Sequence, residues 1–227
     1  MKQLEAITHQ IIDRLRHQPI PVGISNRHIH LTAEDYGLLF PDEPLSMAKP
    51  LAQPGHFSAH QCVTLIGPKG SISNVRILGP FRSKTQVEIA STNARELGVP
   101  AVIRQSGQLS GTPGIIVRGP GGDLEIKEGV IVAKRHIHMN PLEALILGLK
   151  DKQEVSVAVG SEEREILLRN VTVRVDPASI LEIHLDTDEA NAAGLTGQGD
   201  TGTIVTSENS GAEHPGANND WRTKVTV

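Results

Sequence analysis

Aromatic residues are almost missing from this chain. Its 227 residues include one Trp, one Tyr and three Phe. A core must therefore be built from Val, Ile, Leu and Ala. The stacking platforms that bind single-stranded nucleic acid are also lacking. There is no excess of positive charge: the formal net charge is −4. That argues against nucleic acid as a partner, since a phosphate backbone selects basic patches. One cysteine, Cys62, rules out a disulfide framework and a thiolate metal site, and fits a reducing cytoplasm. No apolar run approaches the roughly 20 residues of a membrane span. The opening stretch MKQLEAITHQIIDRLRHQ lacks the apolar centre of a signal peptide.

What is present is a succession of short Val- and Ile-rich runs, such as QCVTLIG, NVRILG, GIIVRG and VTVRV, separated by Gly, Pro, Asn and Asp. Strands at roughly 8–12-residue spacing predict a β-sandwich or β-barrel architecture. Leu4, Ile7, Ile11, Ile12 and Leu15 recur at helical spacing and predict an amphipathic helix over 3–17, stopped by Pro19 and Pro21. Short helices are expected at 32–40, 91–97, 140–149 and 187–193. Thr32 and Asn140 would be their N-caps and Pro141 a first helical residue. Residues from about 206 onward turn polar and read as a loosely ordered tail.

An internal repeat carries the functional reading. RHIH occurs at 27–30 and again at 135–138, and the segment 74–98 aligns without gaps on 170–194. The first pair of segments is offset by 108 residues and the second by 96, so 12 extra residues fall in the first half, around PLAQPGHFSAHQ. The chain is thus two diverged copies of one β-rich unit.

In a strand, His28 and His30 share one face, about 6.6 Å apart at ~3.3 Å per residue. His136 and His138 do the same. The repeat places Glu88 in register with His184. Two three-ligand sets result: His28, His30 and Glu88; His136, His138 and His184. Nitrogen and oxygen donors, three at a time and without thiolate, resemble catalytic rather than structural zinc sites. Arg82 lies on Glu88's side of a regular strand and suits an anion; its repeat partner is Ala178. Arg27 and Arg135 should face away from the histidines. The Gly-rich pieces 119–122 and 194–202 lack phosphate-loop spacing and read as turns. His56 falls in a loop beside Pro54-Gly55, and Cys62 reads as a small buried strand residue.

The motifs SNRHIHL, GPFRSKTQVEI, SGQLSGTPG, GVIVAKRHIHM and LEIHLDTDEANAAG resemble those of the PduL-type phosphotransacylases, the phosphate propanoyltransferase family. The resemblance runs from about Pro19 to Val205. It implies a mainly β fold of two similar six-stranded barrels capped by short helices. Residues 26–133 would form one barrel, and 19–25 with 134–205 the other. It implies two divalent metal ions, usually zinc, on the two ligand sets, with Arg82 as the catalytic, phosphate-contacting residue. Coenzyme A contacts carry over to Ser25, Lys49, Arg76, Leu78, His184 and Asn191. The implied reaction exchanges acyl-CoA and phosphate for acyl phosphate and CoA, with acetyl or propionyl groups as in propanediol degradation. Residues 1–18 match the family's encapsulation peptide, which implies a bacterial microcompartment in the cytoplasm, shell or lumen proteins as partners, and room for a homo-oligomer. The residues alone leave two alternatives: a di-metal thioesterase or phosphatase, and a non-catalytic microcompartment component.

Overall fold

The computed structural model describes residues 2–16, 18–161 and 163–205. The expectation for the polar tail from 206 onward lies outside the described residues.

The fold is mainly β, with two barrel-like sheets, as the strand pattern and the family resemblance indicate. One sheet closes into a six-stranded barrel. Its order is Ile20–Ser25, Glu182–Asp186, His136–Met139, Ile166–Val175, Glu154–Val159 and Thr201–Val205. The N-terminal strand Ile20–Ser25 closes this barrel by pairing parallel with Glu182–Asp186 and antiparallel with Thr201–Val205. The other sheet is curled but open, and has nine strands rather than six. The extra residues of the first half help to explain the difference. They lengthen the connection into Phe57–Ile66, on which Met47–Pro50 lays a further antiparallel strand.

The repeat is visible in the backbone. Asn74 and Asn170 both take a left-handed φ of 57°, tolerated because Asn enters that region more readily than most residues. Gly98 and Gly194 each end a helix with positive φ, where an L side chain would be strained. The helices Ser91–Leu97 and Thr187–Ala193 meet at equivalent positions: the Thr92 amide donates to Asp188 Oδ2 at 2.8 Å.

Strand alternation decides where each side chain goes. Ile29 pairs with Val87 in the first sheet, and Ile137 with Ile183 in the barrel. All four are fully buried, so the residues between the paired histidines fill the two cores. The histidines on either side then emerge on the opposite face. Both cores are aliphatic. The first adds Tyr36 stacked on Phe40 with ring centroids 4.9 Å apart; the described core of the second has no aromatic ring.

The expected helices form at Lys2–Arg16, Ala33–Leu39, Ser91–Leu97, Pro141–Leu147 and Thr187–Ala193. Thr32 and Asn140 cap their helices as expected, and Pro141 starts its own. The N-terminal helix leans on Pro141–Leu147, where Arg16 Nε donates to Ile146 O at 3.0 Å. Leu4, Ile7 and Ile11 nevertheless stay exposed.

Candidate active site

A cavity of about 450 Å³ opens between the two sheets, with His28, His30, Glu88, His136, His138 and His184 on its walls. Sheet register brings each set together. His28 lies opposite Glu88, and His136 opposite His184, on neighbouring antiparallel strands. Within each set one ligand atom per residue lies within 4.8 Å of the others, the spacing of a group that can hold a metal ion.

The histidines are prepared for coordination. His28 Nδ1 contacts Asn26 O at 2.7 Å and His136 Nδ1 contacts Lys134 O at 2.9 Å. Those contacts leave Nε2 of each ring facing its set. His28 Nε2 and His30 Nε2 lie 3.5 and 3.9 Å from the Glu88 carboxylate. In the second set the Nε2 atoms of His136 and His138 are 3.0 Å apart. Burial, then the neighbouring His28 and Arg82, push His30 down to about 2. Burial, then His184 and Arg174, push His138 down to about 3 and His136 well below its ordinary value. Neutral imidazoles keep the lone pair that a metal requires. The donor sets therefore fit divalent ions.

Arg82 lines the same cavity. Its Nη1 donates to Ser106 Oγ at 2.9 Å, and Ser106 Oγ donates to Glu88 Oε1 at 3.0 Å. Burial and Arg174 lower the guanidinium's pKa against the opposing pull of Glu88. Of the residues implied as CoA contacts, Ser25, Arg76, Leu78 and His184 line the cavity. Lys49 is exposed on Met47–Pro50 and Asn191 is exposed near the end of its helix; both lie outside the lining.

Arg174, Gln53 and Glu182 on the walls carry no signal that the sequence reading used, and His56 was read only as a loop residue. Arg174 stands opposite His138 in register and faces both this cavity and an adjoining one of about 480 Å³. Its repeat partner is Leu78, so the repeat gave no signal. His56 and Gln53, from the first-half insertion, also border both spaces. Glu182 reads as an ordinary alternating strand carboxylate, yet its Oε2 lies 2.7 Å from His184 Nε2. Burial opposes its charge, but the hydrogen bonds from His184 and Gln53 hold its carboxyl below the ordinary value.

Two neighbours depart from expectation. Arg27 precedes the strand, which starts at His28, so alternation does not govern it. It lines the cavity, and its buried Nε has no hydrogen-bond partner among the described residues. Cys62 is half-buried rather than buried, and lines neither space.

A mainly β protein with twin histidine-rich ligand sets in one inter-sheet cleft is the class that the fold and the cleft define. The sequence profile of the phosphate propanoyltransferase family matches residues 21–196. The chain is 53% identical over 204 residues to a phosphate propanoyltransferase of Citrobacter freundii, covering 90% of this chain and 97% of that protein. It is 54% identical over 191 residues to one of Salmonella typhimurium, covering 84% and 91%. It is 49% identical over 191 residues to one of Shewanella putrefaciens, covering 84% and 90%. The chain belongs to the phosphate propanoyltransferase family and is a phosphate acyltransferase.

Proposed function

We propose that the cleft transfers an acetyl or propanoyl group between coenzyme A and phosphate at a pair of metal centres. The carrying observation is that both ligand sets and Arg82 line one cavity. His28, His30 and Glu88 would hold one divalent ion, and His136, His138 and His184 the other. Bound there, zinc-type ions would act as Lewis acids and favour the thiolate of CoA.

The chain's own residues do the rest. Ser25, Arg76 and Leu78 form the wall along which CoA lies, with Lys49 and Asn191 as contacts further out. Arg82 presents a planar fork to the phosphate oxygens. Ser106 fixes that fork and ties it to Glu88, so the cation is in place before charge develops. A phosphate oxygen bonds to the acyl carbon as the carbon–sulfur bond breaks, and CoA leaves as its thiolate. In reverse the thiolate attacks and phosphate leaves. Both nucleophiles come from substrates, which agrees with the placement of Cys62 outside the cavity.

The same reading divides the chain into a helix over 1–18, a barrel unit over 26–133, a second over 19–25 with 134–205, and a tail. The N-terminal helix exposes Leu4, Ile7 and Ile11, a face suited to docking on a microcompartment shell or lumen protein. Among the described residues no helix is long and apolar enough to cross a membrane.

The decisive assay is CoA release from acetyl-CoA and propanoyl-CoA with and without phosphate, before and after chelation. Release that needs phosphate and stops on chelation is expected. Release without phosphate would make the protein a hydrolase, and full activity of metal-free protein would reject the metal centres. Deleting residues 1–18 should leave turnover intact and abolish co-purification with shells. Retained co-purification would reject the address.

A further inference from the structure

The two ligand sets differ by a paired exchange. Gln86 stands two residues before Glu88, and Glu182 two residues before His184; the repeat equates Gln86 with Glu182 and Glu88 with His184. In each strand the two residues share a face. Where the ligand is a carboxylate its neighbour is an amide, and Gln86 Nε2 donates to Glu88 Oε1. Where the ligand is an imidazole its neighbour is a carboxylate, and His184 Nε2 donates to Glu182 Oε2. Donor and acceptor have traded places, so both contacts are kept. Either exchange alone would break the pattern. Two carboxylates would repel across one strand face, and an amide beside the imidazole would remove its charged acceptor.

Each neighbour is anchored from outside its own strand. Gln86 Oε1 accepts from Gly107 N at 2.7 Å, and Gln86 Nε2 also donates to Ser106 Oγ at 2.8 Å. Glu182 Oε2 accepts from Gln53 Nε2 at 3.1 Å. Gln53 grips the same strand's approach at both ends of its amide. Its Nε2 donates to Ile180 O at 3.0 Å, and its Oε1 accepts from Ile180 N at 3.2 Å. Gln53 is 9% exposed and belongs to the 12-residue stretch that only the first half has.

On the reading that His136, His138 and His184 hold a divalent ion, we infer that Glu182 is the positioning residue of that centre, held in place across the cleft by Gln53. Its carboxylate engages His184 Nε2, which assigns coordination to the other ring nitrogen, Nδ1. A carboxylate behind a metal-bound imidazole fixes the ring's tautomer and raises its basicity. The first-half insertion thereby completes the second half's centre, and the first centre needs no such help because Gln86 and Ser106 come from its own sheet and loops.

The test is zinc competition against a chromophoric chelator, using the metal-stripped full chain. Wild type should take up two ions. Glu182→Gln should weaken one of them by about 10–100-fold, the range for losing such a partner, and leave the other unchanged. Gln53→Ala should weaken the same ion by less. His184→Glu should lose it. The double variant Glu182→Gln/His184→Glu copies the first centre's pair and should regain at least about tenfold over His184→Glu, a rescue that a merely structural role would not produce. The ion retained at the first centre reports that each variant is folded. Wild-type affinity for both ions in Glu182→Gln, or no gain in the double variant, overturns this role alone. A wild-type chain that takes up fewer than two ions overturns the metal reading and this role with it.

Discussion

The two halves of the molecule share a backbone and differ in chemistry. Each places two histidines on one strand and a third candidate ligand opposite the first. The first half supplies Glu88, Arg82 and an amide neighbour. The second supplies His184, an alanine at the arginine's position and a carboxylate neighbour. Duplication keeps what sheet geometry enforces, the positions; it leaves free what geometry does not enforce, the charge. The one cleft between such halves carries two similarly placed ligand sets of unlike charge.

The shared part of this comparison can be broken most severely in the cores. Ile29→Ala and Ile137→Ala remove equivalent, fully buried side chains. Each should cost about 2–5 kcal/mol in denaturant unfolding. A much smaller loss in one would show that the two cores are not equivalent.

The unshared part comes next. Arg82→Ala and Glu88→Ala should each lower turnover by at least about 100-fold, near 2.7 kcal/mol. Ala178→Arg added to Arg82→Ala should not restore it, because position 178 has no equivalent of the Ser106–Glu88 tie. Near-normal turnover in either single variant would remove that residue from the mechanism, and restoration would make the halves interchangeable.

Acidification tests what the centres have in common. His30 in the first half and His136 in the second are buried and neutral, with folded pKa values below the ordinary 6.5. From about pH 6.5 downward the unfolded chain therefore binds more protons than the folded one. Metal-free protein should lose stability as pH falls, by up to about 1.4 kcal/mol per pH unit for each such imidazole. Melts at pH 7, 6 and 5 measure this; a flat profile would show that the folded imidazoles take up protons as readily as those of the unfolded chain.

The smallest effect lies at a helix start. Asp186 caps Thr187–Ala193 through its side chain, whereas its repeat equivalent Ala90 makes no such bond. Asp186→Ala should cost about 1 kcal/mol. An unchanged melting midpoint would mean that packing, not the cap, sets that helix.

Much of this was legible in the chain. Asn140 before Pro141 marked a helix start, and the spacing of His28-Ile29-His30 sorted core from cleft before any coordinates. Aligning Asn74 with Asn170 placed Glu88 beside His184 in register, and sheet pairing sets both against histidines. Other parts were not legible. Arg174 aligns with Leu78, so a search for matched polar positions passes over it. Glu182 fits the alternation of any half-exposed strand. Gln53 lies 129 residues from the carboxylate it holds, in a stretch with no repeat partner.

The sequence by itself determined most of the strands, the helix starts at Thr32 and Asn140, the duplication and the six candidate ligands, because these follow from local spacing and from the comparison of two copies. Tertiary structure alone decided that one sheet closes and the other stays open and that Arg174, His56, Gln53 and Glu182 face the cleft; that Ile20–Ser25 joins strands more than 150 residues away was implied by the family resemblance and not by local spacing. Those outcomes depend on which edges pair and which loops cross, and pairing between distant segments leaves no periodic trace in the chain that makes it.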